Sequence, residues 1–281
     1  MLECVPNVSE GRARASLDAF AAACGPSLLD VHRDVDHHRS VFTLAGPGPR
    51  DAERAVRALA REVVDRIDLE RHEGVHPRLG ALDVVPFVAL DGSDPATAVE
   101  AAHAFGAWAV DELGTPVFFY GFADERDRTL PSVRASAFRT RAPDLVPQSS
   151  RAGVGAIAVG ARPVLVAINC ELDRDDLALA RTIASTVRER DGGLPGVRAL
   201  GLRLASREHV QVSMNLVALD QTGVQAACET VRARAHDRGA AVTRVELVGL
   251  VPAAELDRCT PEFLEWSGLD VTQTIEHRLT H

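Results

Sequence analysis

The chain has 281 residues and a formal net charge of −9, and 46% of its residues are hydrophobic. This length suffices for one large core or for two cores of ordinary size. An acidic chain without a basic stripe interleaved with aromatic residues is not typical of a nucleic-acid-binding protein. No apolar run is long enough to span a bilayer, and the amino terminus lacks the basic head and apolar stretch of a signal peptide. We therefore expect a cytoplasmic protein with neither a nucleic-acid nor a membrane partner.

The sequence contains no lysine, so every fixed side-chain cation is an arginine. Schiff-base catalysis and the Walker phosphate loop both require a lysine and are excluded. An anionic ligand must then be bound by guanidinium groups, which suit bidentate contacts with carboxylates. Five cysteines are scattered and never spaced as CxxC, which indicates reduced thiols rather than disulfides or metal ligands.

The first half of the chain predicts alternating strands and helices. A short strand precedes the polar turn at 7–11, in which Asn7 and Ser9 act as helix caps, as residues that line a cleft, or as both. Taken in chain order, the periodicity predicts a strand over 2–6, a helix over about 12–24, strands over 28–31 and 40–44, a helix over about 50–69, a strand over 84–90, a helix over about 95–113 and a strand over 117–120. The first six elements have the order β-α-β-β-α-β of a ferredoxin-like sheet.

The second half predicts the same order again. Hydrophobic periodicity fades over 122–151, where composition alone indicates a linker. Gly160 and Pro163 are interpreted as turn residues between two strands. The further predictions are strands over about 154–159, 164–168, 197–204, 210–217 and 242–251 and helices over about 174–190, capped by Asp173, and 224–238. Polar Gln211, Ser213 and Asn215 alternate with apolar residues and should share one face of their strand.

Titratable residues are concentrated in the central loop, which we define as residues 71–83. His72-Glu73-Gly74-Val75-His76 fits H-E-x-x-H, the zinc-protease pattern, in which a helix places both histidines one turn apart. Glycine at position 74 makes a helix less stable than alanine would by about 1 kcal/mol. Pro77 disfavours a helical conformation at His76. The alternatives are that His76 acts as a general acid/base or that it is a solvated loop histidine.

Three motifs extend this interpretation: R-H-x-G-x-H-P-R-x-G-A-x-D-V at 71–84, E-C-V-P-N-x-S-E-G at 3–11 and Q-V-S-x-N-L at 211–216. They resemble the formiminotransferase (glutamate formimidoyltransferase) family, which includes the N-terminal part of formiminotransferase-cyclodeaminase. The family's catalytic histidine precedes Pro-Arg and maps to His76. The resemblance implies transfer of a formimino group between 5-formiminotetrahydrofolate and glutamate, as in histidine catabolism, with tetrahydrofolate as co-substrate and without a metal.

The resemblance also implies a folate-binding segment. Residues 143–147, Pro-Asp-Leu-Val-Pro, resemble the family's P-D-F-G-P, which opens that segment. Carried over position by position, the folate-binding residues are Val146, Pro147, Gln148, Ser149, Ser150, Arg151, Ala152, Gly153, Val154 and Gly155. The chain departs from the family pattern at Leu145-Val146, at Val75, where glutamate is usual, and at His38, where asparagine is usual.

Asn7, Arg39, Arg78, Gln211 and Asn215 are the further candidates for substrate contact. Because glutamate and folate both carry carboxylates, local arginines must overcome the acidic background of the chain. Arg39, Arg78 and Arg151 are the candidates for this role, and Arg78 is favoured because it lies in the central loop.

The predicted fold is α/β (α+β), with two tandem ferredoxin-like βαββαβ subdomains whose sheets face each other and whose helices lie outside. The predicted boundaries are 1–147, 148–258 and a C-terminal helical tail over 259–281, and a homodimer is expected. Two other functions remain open. One is a folate-binding homologue that has lost turnover or uses a different acceptor amine, and the other is a zinc hydrolase that uses His72, Glu73 and His76.

Overall fold

The chain forms two compact units, Met1–Arg162 and Pro163–His281. The structure is a computed structural model that describes residues 1–72, 78–90, 92–204 and 209–281. Both units are mixed α/β, and each has its own sheet and its own buried apolar cluster. Within the described ranges, no helix combines the length and the apolar character that crossing a membrane requires.

The first unit is built on a mixed sheet whose first part has the predicted β-α-β-β-α-β order. Its elements are β1 (Leu2–Cys4), β2 (Asn7–Val8), α1 (Arg14–Cys24), β3 (Leu28–Asp34), β4 (Arg39–Ala45), α2 (Asp51–Arg66), β5 (Leu82–Ala89), α3 (Pro95–Leu113), β6 (Val117–Gly121), α4 (Leu130–Ser136) and β7 (Ile157–Ala161). Both β1 and β2 pair with β4 and β5, so they are two parts of one strand, interrupted near Pro6. The strand order is therefore β3-β4-β1/β2-β5-β7-β6.

The core of the first unit lies between this sheet and the helices α1, α2 and α3. The three-four spacing of α2 buries Val56, Leu59 and Val63, as an amphipathic helix should. On the other face of the sheet, Val133 of α4 packs in a smaller cluster with Phe118. The sheet is thus covered by helices on both faces near β6, which places α4 beside the start of β5.

The first unit ends later than the predicted boundary after residue 147. Residues 157–161 form β7, which pairs in parallel with both β5 and β6, so they complete the sheet of the first unit. Gly160 is a strand residue and not the predicted turn residue. A Cβ atom there would lie 2.5 Å from the Tyr120 ring, so the ring occupies the space that another side chain would need. The predicted linker over 122–151 contains α4, which Thr129 caps through the backbone N–H of Ser132.

The second unit has an antiparallel four-stranded sheet. Its elements are β8 (Val166–Leu172), α5 (Leu177–Val187), β9 (Val197–Leu204), β10 (His209–Leu216), α6 (Val224–His236), β11 (Val242–Val248), α7 (Ala253–Asp257), α8 (Pro261–Ser267) and α9 (Ile275–Thr280). The strand order β11-β8-β10-β9 follows from the predicted β-α-β-β-α-β connection. Asp176, and not the predicted Asp173, caps α5 by accepting from the backbone N–H of Leu179.

The C-terminal tail packs into the core of the second unit. Phe263 and Leu269 are 3% and 4% exposed and belong to its apolar cluster, and Ile275 is 2% exposed. The backbone of Val251 forms hydrogen bonds with Gln273 and Ile275, with N···O distances of 3.1 and 3.0 Å. The tail over 259–281 is therefore an integral part of the second unit.

Candidate active site

The candidate catalytic residue His76 lies outside the described residues, as does Glu73, but both ends of the central loop are described. The backbone of His72 is extended, with φ −96° and ψ 119°, whereas an H-E-x-x-H zinc site needs a helix at its first histidine. The guanidinium Nη1 of Arg78 lies 3.4 Å from His72 Nε2, and a cation there would repel a metal ion. The described end of the loop therefore disfavours the zinc-hydrolase interpretation.

Asp83 is the centre of a buried ion-pair cluster at the start of β5. Its carboxylate is 2% exposed and accepts a hydrogen bond from Arg39 Nη1 at 3.1 Å. It also accepts from both terminal nitrogens of Arg134, with Nη1 at 3.3 Å. The backbone N–H of Leu79 donates to the same carboxylate at 2.6 Å. These contacts, which we call the Asp83 cluster, join β4, α4 and the end of the central loop.

The Asp83 cluster carries more positive than negative charge. Burial disfavours the ionised carboxyl, but Arg39 and Arg134 outweigh burial and hold the pKa of Asp83 below its ordinary value. Burial lowers the pKa of Arg39 to about 10, Asp83 opposes this change, and the cations Arg134 and Arg78 add to it. Burial also lowers the pKa of Arg78, against the attraction of Asp83. Arg39 and Arg134 thus share the carboxylate of Asp83, and Arg78 lies within electrostatic range of it. Guanidinium groups of this kind suit contacts with a ligand carboxylate.

The polar turn after β1 supports Arg39 and the central loop, and neither Asn7 nor Ser9 caps α1. Asn7 Oδ1 accepts from Arg39 Nε at 2.9 Å and from Nη2 at 2.6 Å, which fixes the plane of the guanidinium group. Ser9 is 4% exposed, and its Oγ donates to the carbonyl of Gly80 at 2.8 Å. The backbone N–H of Ser9 donates to the carbonyl of Ala81 at 2.8 Å. The turn is thus a support for the site.

Two histidines stack beside the central loop. The rings of His38 and His72 have centroids 4.0 Å apart and planes inclined by 15°. His38 Nε2 lies 3.0 Å from Glu10 Oε1, and the same oxygen accepts from the backbone N–H groups of Arg12 and Ala13. Burial works against ionisation of Glu10, but these N–H groups and His38 lower its pKa below the ordinary value. An ionised Glu10 therefore orients His38, and His38 orients His72.

The segment predicted to bind folate meets the central loop on both sides. The backbone N–H of Leu69, just before the loop, donates to the carbonyl of Gly153 at 2.7 Å. The backbone N–H of Ala81, near the end of the loop, donates to the carbonyl of Val154 at 2.8 Å. The last residues of the segment over 146–155 are therefore fixed against the loop that carries His76.

The remaining residues of this segment differ in their surroundings. Gly155 has a φ of 71°, and a Cβ there would lie 2.2 Å from the carbonyl oxygen of Leu79, so this close approach requires glycine. The stretch 148–152 is exposed, and Val146 is 63% exposed. Arg151 pairs with Asp65 of α2 at 2.9 Å. Of the three arginine candidates for carboxylate binding, Arg39 belongs to the Asp83 cluster and Arg78 interacts electrostatically with it.

Gln211 and Asn215 lie on β10 of the second unit, on the face opposite its apolar cluster. Gln211 is 1% exposed, and its buried Oε1 has no hydrogen-bond partner among the described residues. It lies opposite Glu171 of β8, whose carboxylate accepts from Arg244 Nη1 at 2.9 Å. Asn215 is exposed. The predicted common face is confirmed, and Gln211 is the buried member of the pair.

Several residues of this site were not among the sequence candidates. Asp83 stands alone as an acid in an apolar strand, which is a usable signal because an unpaired buried carboxylate is costly. Arg134 gives no such signal, since it lies where the hydrophobic periodicity fades. Within the described parts of the chain, no group of three or more histidine, cysteine, aspartate or glutamate side chains is arranged to hold a metal ion.

Comparison with known families gives two matches that together span most of the chain. Residues 1–162 match the N-terminal subdomain of the formiminotransferase domain. Residues 167–277 match the formiminotransferase domain model that follows it. The first structural unit and the first match both end at residue 162.

Three curated relatives are similar over almost the whole chain. A glutamate formimidoyltransferase of Thermoplasma acidophilum is 35% identical, and the alignment covers 99% of this chain and 97% of the relative. The glutamate formimidoyltransferase of Streptococcus pyogenes is 34% identical, with 99% and 98% covered. The formimidoyltransferase-cyclodeaminase of Sus scrofa is 35% identical over 99% of this chain but only 55% of its own length.

Proposed function

Because the chain belongs to the formiminotransferase family and is thus a one-carbon transferase, we propose that it moves a formimino group between 5-formiminotetrahydrofolate and glutamate. Tetrahydrofolate is then a co-substrate, and no metal takes part. The proposal rests on the contacts that the ends of the central loop make with the Asp83 cluster and with the segment over 146–155. The arginine-rich Asp83 cluster and the segment over 146–155 both bond to residues that flank the stretch containing His76.

In the proposed reaction His76 is the general acid/base. A nitrogen of tetrahydrofolate adds to the formimino carbon of formiminoglutamate, and His76 takes the proton that this nitrogen loses. The tetrahedral intermediate then breaks its bond to the glutamate nitrogen, and His76 returns the proton to that leaving amine. One imidazole can serve both steps, because it accepts and donates a proton near neutral pH.

The described residues serve mainly to bind and orient two anionic substrates. Arg39, fixed by Asn7 and Asp83, and Arg78 at the end of the loop are the proposed contacts for carboxylates of glutamate. Gly153, Val154 and Gly155, held against the loop, are proposed to border the folate. Holding two reactants in order can lower a barrier by about 7 to 11 kcal/mol, so positioning should contribute at least as much as proton transfer.

Replacement of His76 by alanine tests the assignment. In a coupled assay with formiminoglutamate and tetrahydrofolate, His76→Ala should lower kcat by about 10²- to 10⁴-fold, because general acid/base catalysis contributes that much. His236→Ala is the matched control, since His236 is exposed on α6 of the second unit. Activity of His76→Ala equal to wild type would refute the role of His76.

The same assay separates the alternatives. A folate-binding homologue predicts affinity for tetrahydrofolate without turnover, and an enzyme with another acceptor predicts turnover only when a different amine is supplied. Chelator-sensitive hydrolysis with stoichiometric zinc would support the zinc hydrolase. The contact of Arg78 with His72 and the extended backbone of His72 argue against the zinc hydrolase.

We also propose that the first unit is the N-terminal formiminotransferase subdomain and the second unit the C-terminal one, each ferredoxin-like. The strand orders of the two sheets support this proposal, and it includes the tail over 259–281 in the second subdomain. The homodimer, the cytoplasmic location and the facing sheets stay predictions. Light scattering on the purified chain tests the first of them.

A further inference from the structure

Two described groups hold the ring of His72. One face stacks on His38, which is in turn held by Glu10. The ring nitrogen Nε2 lies 3.4 Å from Arg78 Nη1. The other ring nitrogen, Nδ1, is buried and has no hydrogen-bond partner among the described residues. A ring that is held this firmly presents its free nitrogen in one direction.

The contact with Arg78 determines which nitrogen carries the proton. A guanidinium group has five N–H donors and no acceptor, so His72 Nε2 must be the acceptor in this contact. The proton of the neutral imidazole is then on Nδ1. Nδ1–H is therefore a buried donor without an acceptor, and such a group loses free energy until an acceptor reaches it.

The charges around His72 indicate the kind of acceptor. Arg78 interacts electrostatically with Arg12 and with Arg39, and Arg39 interacts with Arg134. The Arg78 guanidinium lies against the same ring. A cation next to an N–H donor favours a carboxylate oxygen over a neutral carbonyl oxygen as the acceptor.

We propose that His72 is a substrate-binding residue whose Nδ1–H donates to a carboxylate of the amino-acid substrate, beside Arg78. This inference rests on the proposed function and deepens it, since it assigns a carboxylate subsite to a histidine other than His76. His38 and Glu10 are positioning residues that hold the His72 ring. No proton is transferred at this subsite, so His72 contributes to binding of the substrate and not to the chemical step.

Two substitutions at His72 separate a binding role from a structural one. His72→Asn places an amide N–H close to the position of Nδ1 but removes the ring that stacks on His38. His72→Phe keeps a stacking ring and removes the donor. His72→Gln moves the amide beyond the Nδ1 position and is a second variant without the donor in place. Glutamate and glutarate, a dicarboxylate without an amine, are the probes for isothermal titration calorimetry on the full chain.

The expected order of affinity is wild type, then His72→Asn within about threefold, then His72→Phe and His72→Gln at least about tenfold weaker, where tenfold corresponds to 1.4 kcal/mol. In turnover, KM for formiminoglutamate should rise in His72→Phe by a similar factor while kcat changes by less than about threefold, as for a residue that binds substrate and transition state equally. A purely structural role predicts the reverse order, with His72→Phe close to wild type and His72→Asn weakened, and would overturn the proposal.

The dicarboxylate probes keep this test separate from the proposed function. Absence of turnover by the wild type would count against the transferase, whereas the order of glutarate affinities would still decide the role of His72. Equal glutarate binding by all four proteins, or no binding by the wild type, overturns the inference. Circular dichroism of each variant verifies that it is folded, and at least one of the two donor-free variants must pass.

Discussion

Asp83 is the residue on which the site depends most, because its carboxylate is 2% exposed and pairs with two guanidinium groups. Asp83→Asn keeps the shape of the side chain but removes the charge with which Arg39 and Arg134 pair. Removing one partner from a buried ion pair costs about 3 to 5 kcal/mol. We therefore expect Asp83→Asn to lower the free energy of unfolding at neutral pH by about that amount, measured by urea denaturation.

The matched control is Asp65→Asn, because Asp65 is 63% exposed and pairs with the half-exposed Arg151. An exposed pair of this kind contributes about 0 to 1 kcal/mol. The pKa of Asp83 is lower in the folded chain than its ordinary value, so its stabilising effect is present above the unfolded pKa of about 3.9. It is lost as the pH falls through the folded pKa. Equal losses for both variants at pH 7, or a difference that grows below about pH 4, would contradict this account.

The sequence indicated candidate residues of the site better than their partners. Asn7 and Arg78 are candidates because they stand in motifs, and the structure brings Asn7 into direct contact with the further candidate Arg39. Arg134 could not be found, since its contact with Asp83 joins residues 51 positions apart. The left-handed backbone at position 38 explains why histidine can replace the asparagine that is usual in the family. His38 has a φ of 49°, a region in which asparagine and histidine are both enriched.

At the scale of elements, the tail helix α8 provides a clear test of packing. Phe263 is 3% exposed and belongs to the apolar cluster of the second unit. Phe263→Ala should lower the free energy of unfolding by about 3 to 5 kcal/mol, because it removes a buried ring and leaves a cavity. Val271→Ala in the same tail is the control, since Val271 is 62% exposed. Its effect should stay within about 0.5 kcal/mol, and similar effects of both changes would show that the tail does not stabilise the second unit.

Elements with strong local signals were predicted closely, and elements that depend on distant partners were not. The helix α3 has its predicted bounds, since Asp94 caps its start and Gly114, with φ 61°, ends it. Strand β7 was predicted as a strand but assigned to the wrong half, because its apolar run of five residues does not reveal its partners. Helix α4, with seven residues, is too short to produce a periodic pattern.

At the scale of the whole molecule, each unit has the components of an independent folding unit. The first unit surrounds Leu44 with its own apolar cluster, and the second unit surrounds Ile183 with another. Domains with separate cores can unfold in separate steps, and a single transition is then not expected. The chain contains two tryptophans, Trp108 in the first unit and Trp266 in the second, so each unit has its own fluorescent reporter.

Single-tryptophan variants, Trp266→Phe and Trp108→Phe, should therefore report the two units separately. In these backgrounds, Leu44→Ala should lower the urea midpoint of Trp108 fluorescence more than that of Trp266, and Ile183→Ala should do the reverse. Both residues are fully buried, so each change costs about 2 to 5 kcal/mol in its own unit. Equal shifts of both reporters by either substitution would mean that the two units unfold as one, since a cooperative transition transmits the loss to the whole chain.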